Sequence, residues 1–281
     1  MKTTVLAIAT VLVILVSTSN AVTVDSQSSV SGWEVISVST RPGIKVACLL
    51  GQPASSDEKA IFLIFNGGSG SAPFETLEHG KINLSANFLT RTAPLFIKSG
   101  TSVAIVAPPS DRTHGMGCGF RSSDEYLEDV KKVIESLIER GFKEIFLAGH
   151  SNGALSAVWA GSKISDEHIK GVVLASAVGG WGGRFTDACY VGFHISKVKY
   201  PVLMVHHKDD ACLATPYTDA IKLKSSITTK ATFVEVRGGS NTRGDPCRNG
   251  HYHGFIGMEE EAVKVIVDWS RYKEVPGLVG K

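Results

Sequence analysis

From about residue 34 onward, apolar runs of four to seven residues alternate with longer amphipathic stretches, and this alternation restricts the chain to few architectures. The strand-like runs fall at 34–38, 44–50, 60–65, 102–107, 145–148, 172–175, 202–205 and 232–236. Apolar residues at helical spacing occupy 87–98, 126–140, 154–162, 218–225 and 259–272. Strands and helices in turn imply a mostly parallel sheet whose two faces are both covered by helices, because a parallel connection has to cross over the sheet. The first two runs are an exception: Arg41-Pro42-Gly43 lies between them and predicts an antiparallel hairpin at one edge. The reading is therefore an α/β class with an eight-stranded, mostly parallel sheet. No internal repeat and no low-complexity tract interrupts it.

The N-terminus follows a different pattern. Met1-Lys2 precedes an apolar run at 5–16 and a small-residue segment, Ser19-Asn20-Ala21, which together read as a cleaved secretory signal over 1–21. Residues 22–281 then form a single domain, with no integral membrane span left after cleavage and a secreted or periplasmic location. Lys and Arg number 29 against 27 Asp and Glu, a net charge of +2 that leaves no electrostatic footprint for nucleic acid or anionic membrane. A small neutral substrate suits this balance better. The five cysteines, Cys48, Cys118, Cys189, Cys212 and Cys247, contain no C-x-x-C pair, and all lie in the exported part, where disulfides persist. Five is odd; Cys48, inside an apolar run, reads as a small buried hydrophobe. Asn83-Leu84-Ser85 matches a glycosylation acceptor.

Open parallel sheets bind ligands beyond the carboxyl ends of their strands. Four polar clusters follow strand-like runs: Asn66-Gly67-Gly68-Ser69-Gly70, Gly149-His150-Ser151-Asn152-Gly153, His206-His207-Lys208-Asp209-Asp210 and His251-Tyr252-His253-Gly254-Phe255. The second sits between a strand-like and a helix-like stretch, where a serine flanked by glycines is held in a sharp turn with its hydroxyl presented above the sheet. Ser151 is thus the candidate nucleophile. A serine hydroxyl needs a base to take its proton, a histidine returns that proton to the leaving group, and an acid fixes the imidazole tautomer. Serine, acid and histidine occur here in that chain order. Asp209 and Asp210 both offer the acid, and His251 and His253 both offer the base; Gly254 after His253 allows a tight turn before the last helix. For the oxyanion, the backbone N–H of Asn152 supplies one donor and the glycine-rich loop another, at Gly68 or Ser69. That loop also reads as a flexible loop or a phosphate cradle.

These motifs resemble those of the α/β-hydrolase superfamily of serine hydrolases. The Asn66–Gly70 loop is similar to its His-Gly oxyanion loop with Asn in place of His, Gly149 to Gly153 to its nucleophile elbow, and His206-x-x-x-Asp210 to its acid loop. More narrowly, the chain resembles a little-characterised group of exported bacterial α/β-hydrolases. The shared marks are Asn-Phe-Leu-x-Arg (87–91), Pro-Ser-Asp-Arg (109–112), Phe-Arg-x-Ser (120–123) and His-Gly-Phe-x-Gly-x-Glu (253–259), and the likeness spans about 60–269. The resemblance implies an α/β-hydrolase fold with a short or absent lid. It implies Ser151 as nucleophile, His253 as base, Asp210 as acid, Gly68 and Asn152 as the oxyanion hole, no cofactor, and an ester-type substrate, with thioester or amide cleavage as alternatives. If that triad assembles, the acid and base loops meet, so Cys212 and Cys247 are expected to form a disulfide; Cys118 with Cys189 is a second candidate pair. The glycine-rich stretch 179–199, with Trp181, Phe185, Tyr190 and Phe193, reads as a short lid or substrate wall, or as a surface excursion over a few aromatics. Arg91, Arg112 and Arg121 are expected to pair with acidic side chains rather than to bind a substrate carboxylate. Two rival readings use the same residues: a metal site drawn from His206, His207, Asp209, Asp210, His251 and His253, and a catalytically inactive binding protein on the same sheet.

Overall fold

The computed structural model describes residues 22–25, 31–54, 59–77, 81–179 and 188–281. The proposed signal at 1–21 and, within the glycine-rich stretch, residues 180–187 with Trp181 and Phe185 lie outside the described residues. The main sheet has nine strands in the order β12-β11-β10-β9-β8-β4-β7-β3-β2. Eight of them coincide with the strand-like runs: β2 (Ser31–Arg41), β3 (Ile44–Pro53), β4 (Ala60–Phe65), β7 (Ser102–Pro109), β8 (Glu144–His150), β9 (Ile169–Ala175), β10 (Val202–His207) and β11 (Ala231–Val236). The ninth, β12 (Leu278–Val279), is a two-residue strand parallel to β11, too short to show as a periodic run. The hairpin β2–β3 is antiparallel at the edge, β3 pairs antiparallel with β7, and the rest is parallel. A separate three-stranded sheet, β1 (Val22–Asp25), β6 (Lys81–Leu84) and β5 (Phe74–Thr76), was not anticipated, since its strands have three or four residues each.

Along β4 the side chains alternate between two cores. Ile61, Leu63 and Phe65 join one cluster, and Ala60, Phe62 and Ile64 join the other. That is the two-residue period of a strand buried on both faces. The first cluster is closed by α4 (Asp124–Glu139) and α5 (Gly153–Lys163), the second by α1 (Phe88–Arg91), α2 (Ala93–Lys98) and α7 (Glu259–Ser270). The helical run expected at 87–98 is thus two short helices. Pro94 lacks the N–H that would bond to Thr90, and its ring opposes that carbonyl, so the chain breaks at Thr92. A further short helix, α3 (Cys118–Arg121), precedes α4, and α6 (Tyr217–Ser225) follows β10. Cys48 is fully buried and its thiol is pushed up to about 12 by that burial, consistent with a core hydrophobe.

Strand order determines where a site can form. The chain leaves β4 to build β7 on one side, then crosses back to place β8 on the other side of β4. The loops after β4 and β8 therefore leave the sheet at a switch point, the place where open α/β sheets bind ligands.

The edge hairpin is tied to the body by Arg41, whose Nε lies 2.9 Å from the buried Asp129 of α4 and whose Nη2 lies 3.1 Å from the more exposed Asp111. Removing the cation strands a buried carboxylate, whereas removing Asp111 breaks a solvent-screened pair. Arg41→Met is expected to lower the unfolding free energy by about 2–3 kcal/mol, and Asp111→Asn by less than about 1 kcal/mol. Urea unfolding of the two variants checks this, and equal losses would contradict it.

Candidate active site at the β4–β8 switch point

Ser151 lies between β8 and α5 with φ +55°, a left-handed conformation that non-glycine residues seldom adopt. Tertiary contacts maintain it. The Ser151 N–H donates to the Ala175 carbonyl at 3.0 Å, and its own carbonyl accepts the N–H of Ala154 at 3.0 Å. The flanking glycines are steric requirements. A Cβ at Gly149 would collide with the Gly153 carbonyl, and one at Gly153 with the Phe65 carbonyl at the end of β4. At Gly67 a Cβ would come within 2.6 Å of the His150 carbonyl and 3.2 Å of Ser151 Cβ, so the Asn66–Gly70 loop packs directly against the serine turn.

Of the two candidate acids, Asp210 is the one near a candidate base. Its Oδ2 is 3.0 Å from His253 Nδ1, while its Oδ1 accepts the Cys212 N–H at 2.9 Å. Asp209 is exposed and its N–H donates to His207 Nδ1. His251 packs edge-on against Tyr252 instead of meeting an acid. Burial, the largest influence on Asp210, pushes its carboxyl upward, but the bond and charge of His253, with His206 and the Cys212 N–H, outweigh it and hold the group below the usual range. A disulfide joins Cys212 to Cys247, linking the acid loop to the segment that leads into His253, and a second joins Cys118 to Cys189.

Several supporting residues carry no sequence signal. Thr215 donates its hydroxyl to Asp210 Oδ2 at 2.8 Å, and its Oγ1 also lies 3.1 Å from His253 Nδ1, so the imidazole N–H is shared between carboxylate and hydroxyl. The His253 carbonyl accepts two bonds, from His150 Nε2 at 2.9 Å and from Ser176 Oγ at 3.0 Å. The Asn87 amide donates to His150 Nδ1 at 2.9 Å, which identifies the neutral Nε2–H tautomer of His150. Arg91 donates to the Gly254 carbonyl and pairs with Glu259, both at 2.7 Å, so it braces the turn that carries His253. Arg112 lies over the Phe120 ring and 3.9 Å from Glu125. Arg121 departs from expectation: it is fully buried and, among the described residues, has no acidic partner, donating instead to the carbonyls of Met116 and Asn66 and to Ser156 Oγ. Burial lowers its pKa. Arg91 appeared in the Asn-Phe-Leu-x-Arg motif and His150 inside the elbow, but the partners of both come from distant segments.

In the Asn66–Gly70 loop, the Gly67 carbonyl accepts the Gly70 N–H at 3.2 Å, so the N–H of Gly68, trans to it, points out of the turn. The Gly68 carbonyl accepts from Asn152 Nδ2 at 3.1 Å, which turns the Ser69 N–H away from Asn152. Of the two sequence candidates, Ser69 is thus the one whose amide is turned away from Asn152. Asn66 anchors the loop by accepting from Thr90 Oγ1 at 3.1 Å and Ser85 Oγ at 3.3 Å. Of the residues in the rival metal reading, His206 Nε2 and His253 Nδ1 lie 3.8 and 3.0 Å from Asp210 Oδ2, while His206 Nε2 and His207 Nε2 each meet a backbone carbonyl, those of Thr215 and Gly238, at 2.9 Å. Among the described residues no group of three or more His, Cys, Asp or Glu is arranged to hold a metal ion. No helix among them is long and apolar enough to cross a membrane.

Two expectations follow. Thr215→Val leaves a buried carboxylate short of one donor and should cost about 1–3 kcal/mol in urea unfolding, with Thr215→Ser restoring most of it; an unchanged Thr215→Val midpoint would contradict this bonding. Burial also pushes His150 down to about 3 and His206 down to about 4. The unfolded chain protonates both near pH 6.5 while the folded one does not, so stability is complete above that pH and declines as the pH falls toward 4. The slope reaches about 1.4 kcal/mol per pH unit for each group. Urea midpoints at pH 7 and pH 5 test this, and equal midpoints would refute it.

None of the protein-family models matches the chain, and no curated protein matches it by sequence. Solved structures do match by fold. A dienelactone hydrolase from Anabaena variabilis superimposes with a TM-score of 0.61 at 14% identity, over 88% of this chain and 100% of that one. An alpha-beta serine hydrolase homologue from Coxiella burnetii gives 0.57 at 17% identity, over 83% and 95% of the two chains. The esterase domain of a Rhodothermus marinus protein gives 0.57 at 13%, over 85% and 98%. With the nine-stranded sheet, its helices on both faces and the strand-turn-helix at Ser151, these likenesses identify the chain as having the α/β-hydrolase fold.

Proposed function

We propose that the protein is an exported serine hydrolase that cleaves ester-type bonds in small molecules through an acyl-enzyme. The observation that carries this reading is the buried Asp210–His253 contact of 3.0 Å, joined through the bond from His150 to the His253 carbonyl to the turn that holds Ser151 at φ +55°. Because Asp210 and Thr215 engage Nδ1, the imidazole presents Nε2 as its proton-accepting atom. In the first step Ser151 Oγ bonds to the substrate carbonyl carbon, its proton passes to His253 Nε2, and the carbonyl oxygen becomes an oxyanion facing the N–H groups of Gly68 and Asn152. Collapse breaks the bond to the leaving alkoxide, which takes the proton from His253. Water then repeats the sequence on the acyl-serine and releases the acid.

The esterase and dienelactone hydrolase among the structural neighbours favour an ester over an amide. Thioester cleavage uses the same residues, and so does the amide chemistry implied by a neighbouring acylaminoacyl peptidase. The reading requires no cofactor. Two disulfides support an oxidising location, in agreement with the signal at 1–21.

The test is intact-mass analysis after incubation with a fluorophosphonate. A single adduct on the wild type and none on Ser151→Ala is the expected result, together with at least about a 1000-fold loss of short acyl ester hydrolysis in the variant. Full hydrolysis by Ser151→Ala, or a folded wild type that forms no adduct, would overturn the proposal, and the latter would favour a binding protein.

A further inference from the structure

Gly68 has φ +60° and nothing within 4 Å of where a Cβ would stand, so no neighbour holds this residue on its Cβ side. A glycine in open space turns its peptides with little resistance, yet an oxyanion donor has to be aimed before the charge develops. Hydrogen bonds do the aiming here. The Asn152 side-chain amide donates from Nδ2 to the Gly68 carbonyl at 3.1 Å and accepts the Cys189 N–H on Oδ1 at 3.0 Å. Cys189 is bonded through sulfur to Cys118, the first residue of α3. Two residues earlier, the Met116 N–H donates to the Ser69 carbonyl at 2.7 Å. Arg121, at the end of α3, donates to the Met116 and Asn66 carbonyls and so joins the other end of the loop to the same helix.

The chain of contacts thus closes on itself: Gly68, Asn152, Cys189, Cys118, Met116, Ser69 and back to Gly68. We infer that the Asn152 side chain is a positioning residue: by holding the Gly68 carbonyl it fixes the 68–69 peptide, while the Gly70 N–H on the Gly67 carbonyl fixes the 67–68 peptide that carries the donor N–H, and its own anchor at Cys189 is secured by the Cys118–Cys189 disulfide. This rests on the serine hydrolase reading above and assigns the side chain a role separate from that of the Asn152 main-chain N–H. The position requires a donor and an acceptor at once, which a short carboxamide has. Alanine has neither, and aspartate keeps the acceptor for Cys189 but turns a carboxylate oxygen toward the Gly68 carbonyl.

The experiment measures kcat and KM on p-nitrophenyl acetate, the rate of fluorophosphonate labelling, and Tm for the wild type, Asn152→Ala, Asn152→Asp, Cys118→Ser/Cys189→Ser and the combined Asn152→Ala/Cys118→Ser/Cys189→Ser protein. Asn152→Ala is expected to lower kcat by about ten- to a hundredfold with KM within about twofold and Tm near wild type. Asn152→Asp should fall at least as far despite its matching shape. The cysteine variant should lose less, and adding it to Asn152→Ala should lower kcat no further, because both cut the same ring. Wild-type kcat in Asn152→Ala, a loss expressed as raised KM, or additive losses would overturn the inference while leaving the serine hydrolase reading intact. A wild type that does not label overturns both. If the cysteine variant does not fold, the Asn152→Ala and Asn152→Asp measurements decide by themselves.

Discussion

At Gly153 the first turn of α5 passes so close to the Phe65 carbonyl that no side chain fits between them, and at Gly149 the end of β8 meets the same turn. The site's geometry depends on this crossing. It brings the end of β4 against the start of α5, which places the Asn66–Gly70 loop beside Ser151 and bends the chain tightly enough to give that serine a positive φ. The strand order makes this the switch point of the sheet: β7 and β8 lie on opposite sides of β4.

Around this crossing the protein buries several polar side chains. His150, His206, Asp210, His253, Thr215, Ser176 and Arg121 are all nearly inaccessible. Such burial is tolerated when each group finds a partner, and backbone carbonyls supply many of them. His150 and Ser176 converge on the His253 carbonyl, Arg91 on that of Gly254, His206 on that of Thr215, and Arg121 on those of Asn66 and Met116. The turn that carries His253 is therefore held from behind by its main chain, while Asp210 and Thr215 engage Nδ1 of the ring and the His150 ring packs against it. Neutral imidazoles suit the task, since a charged His150 beside His253 would repel the proton that the proposed mechanism moves onto it.

Much of the sheet was legible because a strand buried on both faces is apolar along most of its length, as are β4, residues 145–149 of β8 and residues 202–205 of β10. The small sheet of β1, β5 and β6 and the terminal β12 were not, because three or four residues carry no period to read. The break at Thr92 was available in Pro94 and was overridden by the longer helical pattern. Arg121 shows the opposite limit: its sequence offered only a positive charge, and the expectation of an acidic partner failed because three carbonyl and hydroxyl acceptors already surround it.

By itself the sequence determined the alternation of strand and helix, the glycines that flank Ser151, and the chain order of serine, acid and histidine, because these depend on residue type and spacing within a few neighbours. Only the tertiary structure shows that Asp210 and not Asp209 meets His253, and that the Gly68 carbonyl meets Asn152, since neighbouring residues have nearly the same local context. It also decided the partners of Arg91, Arg121, Thr215 and Asn152. The Asp210–His253 and Asn152–Gly68 contacts span 43 and 84 residues, and a hydrogen bond has to be satisfied in space, where sequence distance carries no information.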